Sequence, residues 1–79
     1  MVKIYTTPNC PYCKKARAYF DTKNIEYKDI NVLEDKESRK VMIETSGQQS
    51  VPVIDIDGEI ILGFNKYAVD AALNKESNQ

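Results

Sequence analysis

Val2, Ile4 and Thr6 alternate with Lys3 and Tyr5 up to a turn cluster at Thr7-Pro8-Asn9, a period of two that predicts a short strand. Cys13, Ala16 and Phe20 then recur at helical spacing, up to about Lys23. Pro11 suits the first helical position, where its missing N–H costs nothing, so Cys10 is expected to cap the amino terminus of that helix. Residues 26–32 carry Tyr27, Ile30 and Val32 among polar residues and predict a second strand. Residues 34–46 place acids early, Val41, Met42 and Ile43 in the middle and Gly47 just past the end, which predicts a helix. Residues 51–56 and 59–62 flank Asp57-Gly58, the strongest hairpin signal in the chain. Asn65 is placed to cap a last helix through Val69, Ala72 and Leu73, and the polar residues 74–79 are expected to fray.

The predicted order is strand, helix, strand, helix, strand, strand, helix, an α/β pattern without repeats, linkers or low-complexity stretches. A chain of 79 residues supports one domain, residues 1–79. Its size implies burial of roughly 8,000 Å² on folding, enough for one small core and little more. The first two strands, joined through a helix, are expected to run parallel with a right-handed crossover.

Lys and Arg number 11 against 12 Asp and Glu, a balance that argues against a nucleic-acid binder, since phosphate neutralisation needs a strongly basic surface. No apolar run approaches the ~18 residues of a membrane span, so no membrane partner is expected. The segment before Thr7 is too short and too polar for a signal peptide, and the expected location is the cytoplasm.

Both cysteines of the chain, Cys10 and Cys13, lie in one Cys-Pro-Tyr-Cys tetrad. A disulfide scaffold of this size would spread four to eight cysteines along its length. A bridge between these two closes so short a loop that the chain-entropy model gives it only about 2 kcal/mol, so a structural staple is a poor reading. At the helix start the Cys10 sulfur would face unpaired backbone N–H groups and the positive end of the helix dipole, an environment that favours S⁻ over SH. Lys14, Lys15 and Arg17 follow within two turns and are expected to help an anion there, although each taken singly also reads as a solvated surface cation. A low pKa makes Cys10 both the attacking thiol and the better leaving group, which leaves Cys13, one turn inside, as the resolving thiol.

Metal binding competes for a pair with this spacing. Zinc wants four ligands, and with no histidine and no third cysteine a monomer cannot close a tetrahedral N/S site. Only a bridged dimer holding a metal or iron–sulfur centre could, whereas a copper carrier with such a pair before a helix would be expected to end in a strand. The expectation is a chain with no bound metal or cofactor, and a monomer.

With Cys10-Pro11-Tyr12-Cys13 followed some forty residues later by Ser50-Val51-Pro52 and then Leu62-Gly63-Phe64, the chain resembles a glutaredoxin over nearly its whole length. The resemblance implies the thioredoxin fold: a central four-stranded mixed sheet flanked by helices, in the order β-α-β-α-β-β-α. It implies reduction of protein disulfides and glutathione mixed disulfides through the dithiol, with glutathione as co-substrate. It also implies a cis peptide bond before Pro52, beside the dithiol. On the same basis the Val51 backbone would pair with the cysteine moiety of glutathione, with Tyr12 alongside. Gln49 would touch the glycyl end, while Gly63, Phe64 and Asn65 would meet the γ-glutamyl end at a helix start. Thr7 stands where glutaredoxins commonly carry a lysine, and Gly63-Phe64-Asn65-Lys66 stands for the usual Gly-Gly followed by acids. The Gly-Phe form is similar to glutaredoxin-like redoxins that are reduced by thioredoxin reductase and serve ribonucleotide reductase, which makes those two proteins alternative partners.

Overall fold

The computed structural model describes residues 2–77. The elements are β1 (Val2–Thr6), α1 (Pro11–Thr22), β2 (Tyr27–Asn31), α2 (Lys36–Ser46), β3 (Val53–Ile56), β4 (Glu59–Leu62) and α3 (Lys66–Ser77). They follow the predicted order and build one four-stranded mixed sheet, β2-β1-β3-β4. β1 runs parallel to β2, Val2 facing Tyr27 and Thr6 facing Asn31, and antiparallel to β3, where Ile4 faces Ile54. The β3–β4 hairpin closes the far edge.

The period-two alternation of the strands divides the core into two layers. Val2 and Ile4 of β1, Ile54 and Ile56 of β3 and Ile61 of β4 point to one face, where Ala16 and Phe20 of α1 and Val69 and Ala72 of α3 cover them. Tyr5, Val53 and Val32 point to the other, covered by Met42, the one fully buried residue of α2. Burying a side chain such as Phe20 or Met42 stabilises the fold by about 1.5–3 kcal/mol, so these knobs set how the helices sit on the sheet.

Local chemistry sets the element ends. The Asp35 carboxylate caps α2 by accepting the Ser38 N–H at 3.1 Å, and Gly47 ends the helix in the left-handed region (φ 73°), its N–H donating to the Ile43 carbonyl at 2.8 Å. The hairpin turn has positive φ at both Asp57 (50°) and Gly58 (94°), the mirror-image turn that matches strand twist. The Asn65 side chain accepts the Ala68 N–H at 3.2 Å at the start of α3, as expected of a cap.

Several boundaries differ from the expected ones. β2 is one residue shorter at each end than residues 26–32, and α2 starts at Lys36, not at residue 34, while ending at Ser46 as expected. The ladder of β3 starts at Val53, not at residue 51, because Pro52 has no N–H to donate. α3 continues past Leu73 to Ser77, so residues 74–77, expected to fray, keep helical backbone; residues 78 and 79 lie outside the described residues.

Candidate active site

The site begins where β1 runs out. Beyond the buried Thr6 the chain turns through Thr7, Pro8 and Asn9, and Cys10 adopts an extended conformation (φ −101°, ψ 111°) that launches α1 with Pro11 in its first turn. The Cys10 sulfur takes the place that a capping oxygen usually fills, accepting the Cys13 N–H at 3.2 Å. No acidic residue lies in this first turn, so the positive end of the helix dipole is directed at that sulfur without local competition.

The two thiols are free and unequal. Cys10 is half-buried, whereas Cys13 is fully buried on the inward stripe of α1 with Ala16 and Phe20. Burial pushes the Cys13 thiol up to about 12, and the hydrogen bond with Cys10 acts in the same direction. The Thr7 backbone and the Arg17 charge pull the other way without prevailing. At neutral pH Cys13 is therefore a protonated thiol held directly behind Cys10.

Val51 and Pro52 approach from the other side. The peptide bond between them is cis, as the resemblance implied, Pro52 is buried, and the Val51 carbonyl oxygen lies 3.9 Å from the Cys10 sulfur. The Pro52 carbonyl accepts the Gly63 N–H at 2.9 Å, bringing the 63–65 loop against the same turn. Phe64 is half-buried, its ring edge-on to Tyr19 at 5.6 Å, and Asn65 serves as the cap of α3. Tyr12 is 60% exposed beside the tetrad.

Two of the three cations expected to support an anion at Cys10 also make contacts elsewhere. Lys15 lies over the Tyr12 ring at 5.1 Å, Arg17 pairs with Asp29 of β2 at 3.1 Å, and Lys14 is exposed. Among the described residues none of the three hydrogen-bonds the Cys10 sulfur. Asp29 also accepts from the buried Thr6 hydroxyl, so Arg17 serves to tie α1 to the sheet one turn below Cys13.

Cations the sequence reading passed over lie on α2. A groove of about 520 Å³ is lined by Val32, Ile43, Thr7, Gln49 and Val51, the last of which carries the carbonyl 3.9 Å from the Cys10 sulfur. Lys36, Arg39 and Lys40 line its other wall. Their spacing of i, i+3 and i+4 places them on one helix face with Ile43, a signal that was available in the sequence. Only the fold brings that face to the groove that Thr7 and Val51 also line.

This geometry accords with the comparisons to known proteins. The glutaredoxin family model matches residues 2–61. The chain belongs to the glutaredoxin family. A glutaredoxin-like 8.6 kDa protein of the Clostridium pasteurianum rubredoxin operon is 51% identical over 75 residues, spanning 95% of this chain and all of that relative. Glutaredoxin 3 of Escherichia coli is 38% identical over 71 residues, covering 89% of this chain and 86% of its own length. Among solved structures, a thioredoxin-like protein superposes with a TM-score of 0.87 at 27% identity, over 92% of this glutaredoxin-family chain and 94% of the other. The glutaredoxin-like NrdH-redoxin from Escherichia coli, described for its thioredoxin-like activity profile, shares the fold with a TM-score of 0.76 at 20% identity, over 87% and 91% of the two chains. The chain is thus a thiol-redox protein of the glutaredoxin family with the thioredoxin fold. No helix among the described residues is long and apolar enough to cross a membrane.

Proposed function

We propose that this glutaredoxin-family chain is a cytoplasmic dithiol oxidoreductase that reduces protein disulfides and glutathione mixed disulfides, with glutathione as the co-substrate that restores the dithiol. The observation that carries the reading is the asymmetry of the two sulfurs, one capping α1 within reach of solvent and the other buried behind it. The Cys10 thiolate attacks one sulfur of the substrate disulfide, the substrate S–S bond breaks, and the other substrate sulfur leaves as a thiolate that takes up a proton. Cys13 then attacks the Cys10 sulfur, closing the Cys10–Cys13 disulfide. The proton of Cys13 goes to the second departing thiolate, and two electrons have moved from the dithiol to the substrate. Two of the influences that raise the Cys13 pKa, its hydrogen bond with Cys10 and the charge of Cys10, end once Cys10 is tied up in the mixed disulfide. Cys13 thereby becomes easier to ionise at the step that needs it.

Support for glutathione comes from the groove. With Thr7 in place of the family's lysine, Lys36, Arg39 and Lys40 supply positive charge for the glycyl carboxylate beside Gln49 and Val51. The start of α3 at Asn65 offers backbone donors to the γ-glutamyl carboxylate. A second reading, reduction by thioredoxin reductase with ribonucleotide reductase as a client, is favoured by Phe64 packed on Tyr19 and by Lys66 where the family often has an acid. NADPH oxidation coupled separately through glutathione with glutathione reductase and through thioredoxin reductase tests the two. Glutathione-supported turnover with a high KM, lowered severalfold by Thr7→Lys, is expected. Rapid turnover with thioredoxin reductase and none with glutathione would assign the donor to the flavoprotein.

A further inference from the structure

The groove that Val51 shares with α2 is more cationic than a tripeptide requires. Glutathione brings one glycyl carboxylate to this side of the sulfur, yet three cations, Lys36, Arg39 and Lys40, line the α2 wall, and none of them forms an ion pair among the described residues. The seven-residue step from Lys36 to Ile43 rises about 10 Å along the helix, the length of three extended residues. The acids near the start of α2, Glu34, Asp35 and Glu37, line a neighbouring recess that shares Lys36 with the groove. No carboxylate lines the groove itself among the described residues. Its floor is apolar, and Leu33 on the rim is 68% exposed, so the surface suits an extended segment with a contiguous apolar side and acidic side chains.

Direction follows from the reading proposed above, on which this inference rests. If glutathione lies with its cysteine at Val51 and its glycyl end toward Thr7 and Gln49, a polypeptide continuing past the glycine position runs along α2. We infer that the chain selects protein disulfides whose reacting cysteine is followed, on its carboxyl side, by an acidic segment of about three residues lying against Lys36, Arg39 and Lys40. Exposed ion pairs are weak singly, each about a factor of two in affinity, and three acting together give a preference of about tenfold.

The test uses the reduced protein in single turnover, where the dithiol is the only reductant and the electron donor has no part. The substrates are symmetric disulfides of three capped, amidated peptides: Gly-Cys-Glu-Glu-Glu, Gly-Cys-Gln-Gln-Gln and Glu-Glu-Glu-Cys-Gly. Loss of protein dithiol is followed by acid quench, alkylation and mass spectrometry. In the wild type the peptide with acids after cysteine should react about tenfold faster than the Gln peptide, and the peptide with acids before cysteine should show no such gain. The advantage should shrink toward unity in 0.5 M salt. Lys36→Gln/Arg39→Gln/Lys40→Gln should bring the acidic-to-neutral rate ratio near one, and the triple change to Glu should push it below one. Equal rates for all three peptides, or an unchanged ratio in the triple Gln protein, would overturn the inference and leave the groove to the glycyl carboxylate alone. Dimerisation detected by sedimentation and lost in the triple Gln protein would overturn it in favour of a second copy. Failure of every peptide to react would overturn the oxidoreductase reading itself.

Discussion

Alkylation of the dithiol with excess iodoacetamide at pH 7 should add one label quickly, at Cys10, and a second far more slowly, at Cys13. With the Cys13 thiol pushed up to about 12, its thiolate fraction at pH 7 is about one in 10⁵, against about 3% for a free cysteine of pKa about 8.5. Ionisation alone therefore slows Cys13 about 3,000-fold relative to a free thiol. A more basic thiolate is also a better nucleophile, and a Brønsted slope of about 0.45 returns a factor of about 40. The net handicap is about 80-fold before access is considered, and the fully buried sulfur adds to it. Labelling Cys10 first removes the part of the shift that Cys10 itself imposes. Burial, the larger cause, stays, so the electronic handicap of the second step is smaller than 80-fold while the steric one persists. Intact-mass kinetics followed by peptide mapping read both steps, and the second rate should keep rising with pH well beyond the free-thiol value. Two labels entering within a factor of five of each other, or Cys13 labelled first, would refute the reasoning.

Cys10→Ser should abolish all turnover, whereas Cys13→Ser should still reduce glutathione mixed disulfides and lose the reduction of protein disulfides that needs intramolecular resolution; substrate-specific assays of the two variants check the roles. Met42→Ala, which empties the only fully buried position of α2, should cost about 2–5 kcal/mol in urea unfolding. Its Ser38 bonds hold the Asp35 carboxyl below its ordinary value, so Asp35 contributes stability that is present above the unfolded pKa of about 3.9 and is lost as pH falls through the lower folded value. Asp35→Asn should remove that acid-side component from thermal melts between pH 5 and 2. At the alkaline end the raised Cys13 thiol works in the opposite sense. The folded state keeps that proton longer, so its contribution is full below about 8.5 and declines as pH rises toward about 12, a decline that Cys13→Ala should abolish.

Much of the fold was legible because strands and helices of this chain bury one face each, and the periods of two and 3.6 mark those faces directly. The hairpin was legible because Asp57-Gly58 tolerates positive φ at both positions. Legibility failed where the signal was not periodic burial. Val51 reads as strand because it is apolar, yet its place beside Cys10 depends on leaving the ladder. Beyond Leu73 no apolar residue announces that α3 continues. The site divides in the same way. Cys10 and Cys13 were visible as neighbours in sequence, whereas the contacts of the cations around them were not. Lys15 and Arg17 turn to Tyr12 and Asp29, and the cations that line the groove come from α2, more than twenty positions after Cys10.

The order β2-β1-β3-β4 leaves two outer strands, and both are unattractive to a visiting chain. β2 exposes Lys28 and Asp29 along its length, and β4 is only four residues long and begins with Glu59. Charged or short borders of this kind guard against two copies pairing edge to edge. For a protein whose proposed work is to reduce the disulfides of other proteins, that guard has a second use. If disulfide-bearing proteins are its substrates, as proposed, these edges would let them approach Cys10 without being recruited into the sheet.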